Sequence, residues 1–296
     1  MSFKVVGIGE VLWDLLPTGP QLGGAPANFG YHAQALGART SVISRIGRDQ
    51  WGRDVAARFQ KMGLPETTIQ VDDHVPTGTV LVSLTERGVP QYTIQENVAW
   101  DKLEVTKPAL DVVRQARAIC FGTLAQRTPI SRAAIQQLAA AAPSGALRVF
   151  DINLRQNYYS REVIEQSLRL ANVLKLNDEE LAILAPMFEL CKSPEQQVEQ
   201  LAHAFGLRLV ALTRGSQGSL LYHAGRWSEQ RPPPMQVVDT VGAGDAFTAA
   251  LVMGLLTNLD LDETHASAAE VAAYVCARAG ATPSLPEHLR SRFTKP

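Results

Sequence analysis

Cysteine, net charge and long apolar runs are all scarce in this chain of 296 residues. The three cysteines, Cys120, Cys191 and Cys276, are odd in number and far apart, so they form no metal-spaced pair and fit a reducing compartment. Lysine plus arginine (28) nearly balance aspartate plus glutamate (29), with a formal net charge of −1 and no long run of one sign. Nothing in that balance points to a nucleic-acid or membrane-surface partner. No uninterrupted apolar run approaches the roughly 20 residues needed to cross a bilayer. Glu10 and Asp14 interrupt the opening "MSFKVVGIGEVLWDLLP", which therefore does not read as a secretory signal, and a cytoplasmic location is expected. Also absent are a Gly-Lys dipeptide, and with it a Walker A loop, and the protein-kinase signatures. Both "GAGDAF" and "GIGEVL" lack the third glycine of a dinucleotide fingerprint.

What is present is ordinary soluble composition, 46% hydrophobic and 19% charged, arranged in alternating patterns. Short β-branched runs, "KVVGIG", "TSVISRIG", "RAICFG", "LRVFDIN", "VLKLN" and "LRLVALT", alternate with helix-like stretches such as "PANFGYHAQALG" and "SRAAIQQLAAAA". Near-continuous apolar strands between amphipathic helices predict an α/β fold: a three-layer, mainly parallel sheet with helices on both faces, with residues 1–296 forming a single domain. Ligands of such sheets bind beyond the carboxyl ends of the strands. Residues 72–103 break the pattern. "VPTGTVLVSLTERGVPQYTIQENVAW" alternates like strands around a turn at "ERGVP", which predicts a small antiparallel flap, joined by residues 11–18 as a lid. An edge hairpin with no function fits the same pattern.

The most informative stretch is "VVDTVGAGDAFTAALVMGLL", residues 237–256. A helix starting near Ala243 would place the N–H groups of Gly242, Ala243 and Gly244 at its unsatisfied, positive end. Small residues let an anion approach that backbone, so the loop reads as a phosphate or oxyanion site. Asp245 in the same turn fits a simple helix-start charge. A carboxylate repels phosphate, however, so a base that deprotonates a hydroxyl attacking that phosphate better explains its placement.

"DTVGAGDAF" resembles the carboxyl-terminal signature of the ribokinase-like (PfkB-type) carbohydrate kinases. "GGAPANFGYHAQALGARTSVISRIGRDQWG", residues 23–52, resembles their other signature, and "GEVLWDLLP" followed by "LGGAPANF" is similar to the fructokinase branch. The resemblance runs from "GIGEVLWDLLP" to "ARAGATPSLP" and implies the following roles. Asp14 and Asn28 would hydrogen-bond sugar hydroxyls, with Gly23 and Gly24 supplying hinge and backbone contacts. "FDINLRQNYY" resembles the family's Asp-x-Asn-x-Arg segment, so Asn153 and Arg155 would reach sugar or phosphate oxygens. A surface ion pair is the alternative for Arg155. "KLNDEEL" resembles its Asn-x-x-Glu motif, with Asn177 and Glu180 acting on Mg²⁺ through its water shell. Read locally, "NDEEL" is a good helix start and nothing more. Thr213, Gly215 and Gly218 in "LTRGSQGSLL" match the nucleotide-binding turn. Adenine would lie on residues 266–281, where Ala269 departs from the asparagine many relatives carry. Asp239, with backbone carbonyls near Val241 and Gly280, resembles a monovalent-cation (K⁺) site of several members, and equally suits a helix-approach cap.

The resemblance implies an ATP-dependent, Mg²⁺-assisted sugar kinase acting on a primary hydroxyl, with fructose the leading substrate. 2-Keto-3-deoxygluconate, ribose or a nucleoside are alternatives within that class. A non-catalytic sugar sensor on the same fold and an NAD-dependent oxidoreductase are alternatives outside it. A flap pairing with its symmetry mate would make a homodimer through the lid.

Overall fold

Strand segments such as "AICF" are buried at every position, which requires a sheet covered on both faces. A computed structural model describes residues 2–84, 90–191, 193–233 and 235–293. In chain order its strands are β1 (Lys4–Ile8), β2 (Leu12–Leu16), β3 (Gly19–Gly23), β4 (Arg39–Gly47), β5 (Ile69–Asp72), β6 (Gly78–Leu84), β7 (Pro90–Ile94), β8 (Ala118–Phe121), β9 (Leu147–Asp151), β10 (Val173–Asn177), β11 (Leu209–Thr213), β12 (Ser219–His223) and β13 (Arg226–Gln230). The helices are α1 (Ala25–Ala35), α2 (Gln50–Met62), α3 (Lys107–Val113), α4 (Pro129–Ala141), α5 (Arg161–Leu170), α6 (Asp178–Met187), α7 (Pro194–Phe205), α8 (Ala243–Leu256), α9 (Leu261–Cys276) and α10 (Glu287–Arg290).

Nine strands form the large sheet, in the order β13-β12-β11-β10-β9-β8-β1-β4-β5. All neighbours from β11 to β5 are parallel, and the β12–β13 hairpin adds an antiparallel edge. The sequence reading foresaw the parallel body but did not separate that hairpin from the nucleotide turn preceding it. Side chains alternate between the faces with the strand period of two. Val5, Ala118, Val149 and Val173 pack with residues of α1, α8 and α9. Their neighbours Val6, Ile119, Phe150 and Leu174 pack with residues of α4 to α7 on the opposite face. Helix α8 is apolar all round because it is sunk between the sheet, α1 and α9, with every residue from Ala246 to Gly254 buried.

The second sheet has the order β3-β2-β6-β7 and differs from the expected flap in three ways. It includes β3, so its first segment extends past residue 18 to Gly23. Its central pair, β2 with β6, is parallel, because the two strands enter from the same edge of the large sheet rather than through a hairpin. Its second segment is shorter than 72–103, since β5 ends at Asp72 beside β4, and Ala99–Lys102 is a 3₁₀ turn whose Trp100 is fully buried. The turn expected at "ERGVP" lies outside the described residues except for Pro90.

One carboxylate ties the two sheets together. Asp49 caps α2 by accepting from the Gly52 N–H (2.7 Å), and it also accepts from the hydroxyl (2.7 Å) and N–H (2.8 Å) of Thr77, just before β6. Burial would raise its pKa, but these bonds outweigh that and hold it below the usual aspartate value. Asp49→Ala removes a helix cap and both anchors of β6. A loss of about 1–3 kcal/mol in denaturant unfolding is expected, with the m-value unchanged.

Candidate active site

The parallel strands all deliver their carboxyl ends to one edge, where short polar segments follow each apolar run. Glu10 lies just past β1, Asp151 ends β9, Asn177 ends β10 and Thr213 ends β11. Of the helices that begin at this edge, α1 and α8 stand apart. Unlike every other described helix except the four-residue α10, neither has a side-chain cap. Asp49, Thr106, Thr128, Ser160, Asn177, Ser193 and Asp260 cap the rest. An uncapped helix start held at the ligand edge of a sheet leaves its donors for something other than protein.

The first turn of α8 is shaped by Gly242. Its φ of 78° is left-handed, and a Cβ there would meet the Ala281 carbonyl oxygen at 2.5 Å, so only glycine fits. Of the three expected donors, the Ala243 N–H already reaches back to the Thr240 carbonyl at 3.3 Å. Asp245 is the third residue of the helix, and the Asn28 amide of α1 donates to its Oδ2 at 2.8 Å. That bond spans 217 residues of sequence and joins the residue expected to grip sugar to the candidate base.

Asp14 projects from β2 of the small sheet. The Asp14 carboxylate lies over Gly23, at the end of β3, and would have to shift to admit a Cβ there. Gly24 follows as the N-cap of α1. Arg155 belongs to the segment after β9, where Asn153 and Gln156 both have a φ of 48°. Its Nη1 donates to the Leu154 carbonyl at 2.9 Å, and its charge acts on Glu10, Asp14 and Asp245. Among the described residues it takes part in no ion pair.

The expected metal pair has structural partners. Asn177 caps α6 by accepting the Glu180 N–H at 2.7 Å. Glu180 returns the bond from the Asn177 N–H at 2.8 Å and also accepts the Leu154 N–H at 2.9 Å. This capping box pins the "NLR" segment to α6. No group of three or more His, Cys, Asp or Glu side chains that could hold a metal occurs among the described residues. Asp239 accepts from the N–H groups of Val241 and Gly280, both at 3.0 Å. The expected feature was backbone carbonyls near those positions; the observed bonds use their amides and tie the glycine loop to the segment after α9. Thr213 ends β11, its hydroxyl 3.4 Å from the Leu176 carbonyl, and Gly215 and Gly218 bracket the 3₁₀ turn that follows.

Four residues of this edge escaped the sequence reading: Glu10, Asp151, Lys175 and Thr248. Glu10 is 3% exposed. Asp151 and Lys175 form an ion pair of 3.1 Å, and Thr248 donates to the other oxygen of Asp151 at 2.8 Å. The available signal was a charged residue inside an otherwise apolar strand, as in "VLKLN". Burial pushes the Asp245 carboxyl up to about 7, assisted by the charge of Asp151, against the Asn28 hydrogen bond, Lys175 and Arg155. Burial likewise lifts Glu10 to about 7 and Asp14 to about 6, each opposed by Arg155. A carboxyl that titrates near neutrality, bonded to a carboxamide and set at an uncapped helix start, can take a proton from a hydroxyl while the helix end receives an anion.

A sequence model of the pfkB family of carbohydrate kinases matches residues 19–288. The chain belongs to this family and is a carbohydrate kinase. It is 30% identical to a fructokinase of Escherichia coli over 276 residues, 89% of this chain and 88% of the relative. A sugar kinase from Pyrococcus horikoshii in complex with ATP superposes with a TM-score of 0.76 at 26% identity, covering 94% of each chain. The aminoimidazole riboside kinase from Salmonella enterica, complexed with aminoimidazole riboside and an ATP analogue, gives a TM-score of 0.80 at 25% identity, over 98% of this chain and 100% of that one. No helix among the described residues is long and apolar enough to cross a membrane.

The raised Asp245 pKa has a consequence for stability. From the ordinary value near 3.8 up to about 7, the unfolded chain ionises while the folded one keeps its proton. The native state is therefore penalised progressively as pH rises through that window, and fully above it. Asp245→Asn removes the penalty. Its advantage in Tm over the parent should grow from pH 5 to pH 7 and level off beyond, reaching roughly a few degrees. Parallel thermal melts across this range check it, and an advantage independent of pH would show that burial does not hold this carboxyl neutral.

Proposed function

We propose that this kinase transfers the γ-phosphate of ATP to a primary hydroxyl of a small neutral sugar, with fructose as the leading substrate. The observation that carries this reading is the Asn28–Asp245 hydrogen bond, which joins the amide read as a sugar contact to the carboxylate read as the base, at the uncapped start of α8. The fructokinase relative supports fructose. Electrostatics favour a neutral sugar over 2-keto-3-deoxygluconate. Glu10, Asp14 and Asp245 already share the field of Arg155, and a substrate carboxylate would add a further acidic group competing for it.

In this reading Asp14 and Asn28 orient the sugar, Gly23 and Gly24 lend backbone contacts, and Asn153 and Arg155 reach sugar or phosphate oxygens. Asp245 takes the proton as the hydroxyl attacks, and the amides of Gly242, Ala243 and Gly244 with the dipole of α8 stabilise the developing charge. Thr213, Gly215 and Gly218 border the nucleotide. Asn177 and Glu180 would hold hydrated Mg²⁺, which neutralises phosphate charge when bound. Asp239 would assist a K⁺ site, and the small sheet would act as lid and as the contact of a homodimer in the cytoplasm.

Coupled ADP detection over a sugar panel tests the substrate. Fructose should give the highest kcat/KM, and 2-keto-3-deoxygluconate should fall at least about tenfold lower, equivalent to ~1.4 kcal/mol. A preference for the acid sugar would overturn the electrostatic reading. Asp245→Asn tests the base. General-base catalysis contributes roughly 10²–10⁴-fold, so kcat should drop by at least about a hundredfold while ATP and sugar still bind. Turnover within a few-fold of the parent would assign Asp245 to helix stabilisation alone.

A further inference from the structure

Behind the glycine loop lies a buried polar network that the phosphoryl-transfer reading does not use. Asp151 (5% exposed), the last residue of β9, and Lys175 (7%), its register partner in the adjacent β10, meet with their charges 3.1 Å apart. Thr248 (0% exposed), one turn into α8, donates its hydroxyl to Asp151 Oδ2 at 2.8 Å and lies 3.0 Å from the Gly244 carbonyl oxygen. A Cβ on Gly244 would come within 3.0 Å of the Lys175 amine, so the ammonium sits directly beneath the first turn of the helix. Asp151 is thereby bonded to α8 through Thr248, and Lys175 is linked to the helix through Asp151.

Burying an ion pair among apolar side chains is a poor route to stability, since replacement by apolar residues of the same shape often costs nothing. Its position suggests another use. We propose that Asp151 and Lys175, linked to α8 through Thr248, are positioning residues that fix the first turn of the helix and set the charge environment in which Asp245 accepts a proton. The assignment rests on Asp245 being the base.

The two charges act on Asp245 in opposite senses. Asp151 favours its protonated form, and Lys175 favours the ionised one. The other groups facing it are Glu10 after β1, Arg155 after β9, the Cys120 thiol of β8, and the neutral amide of Asn28 on α1. Lys175 remains an ammonium: burial would lower its pKa, but Asp151, Glu180 and Asp245 outweigh that and raise it. Because the base must be ionised to work, the acid limb of the kcat–pH profile reports this balance.

The test is a charge cycle read through that limb. Asp151→Asn keeps the shape, removes the repulsion and leaves Lys175 unopposed, so the limb should move to lower pH by about one unit. Adding Lys175→Met to this variant should move it back up. A purely structural role would lower kcat at every pH and leave the limb in place, and a limb fixed at the parent pH in both variants overturns the proposal. Should the Asp151 variants fail to fold, Thr248→Val removes only the linking hydroxyl. A fall in kcat of about tenfold with KM for both substrates within about twofold is then expected, and unchanged kcat overturns the link. Asp245→Asn in the same assays separates the two readings. If it remains active, the base assignment fails; if it is inactive while the limbs stay fixed, only the network assignment fails.

Discussion

The Asn28–Asp245 hydrogen bond is the contact around which this edge of the molecule is arranged. It joins the first turns of α1 and α8, which pack side by side on one face of the sheet and start at the same edge. For the bond to form, α1 must follow β3 through a backbone turn at Gly24, where φ is 110°. Helix α8 in turn must follow the Asp239 tether through a left-handed Gly242. Both constraints are met by glycine, and both leave the helix start without a side-chain cap. The seven capped helices show that this chain readily supplies Ser, Thr, Asp or Asn where only stability is at stake. Apart from the four-residue α10, the exceptions are these two helix starts, at the carboxyl edge of the sheet.

Holding that geometry has a cost. Glu10, Asp14 and Asp245 are all driven toward neutrality by burial, with Arg155 as their shared counter-charge. Unfavourable burial of this kind persists only when the surroundings over-determine it. Here the surroundings are the apolar packing of α8 between the sheet, α1 and α9. The rigid and the attached parts of the pocket also differ: Asn28, Arg155 and Asp245 stand on the large-sheet body, whereas Asp14 stands on the small sheet. The small sheet is fastened through Asp49 and Thr77 at one corner and through Gly23 and Gly24 at another.

Much of this was legible without coordinates. Alternating runs such as "TSVISRIG" and "SRAAIQQLAAAA" identify the layered sheet, because burial on both faces leaves an unmistakable apolar period. "GAGD" before an apolar helix marks the helix start, since the unsatisfied N–H groups of a helix are a local property. The capping role of "NDEEL" is equally local, and the structure shows it directly. The outline of the small sheet was less legible. Its parallel β2–β6 pair and the inclusion of β3 depend on how two distant segments leave the large sheet, and strand alternation carries no information about that.

The sequence by itself determined the fold class, the position of the glycine loop and the identity of Asp14, Asn28, Arg155 and Asp245 as candidates. The fold class, the loop and Asp245 follow from periodicity or from a short motif whose physics is confined to a few residues, whereas Asp14, Asn28 and Arg155 became candidates through the family resemblance. Only the tertiary structure decided which of these groups share an electric field, and that Asp151, Lys175 and Thr248 stand behind Asp245. The reason is distance along the chain. Asp151 and Thr248 are 97 residues apart, and Lys175 is 24 from Asp151, so no local pattern links them. Hydrogen bonds and Coulomb forces act over a few ångströms of space, and the parallel strand order together with the packing of α8 on the sheet brings those residues within reach.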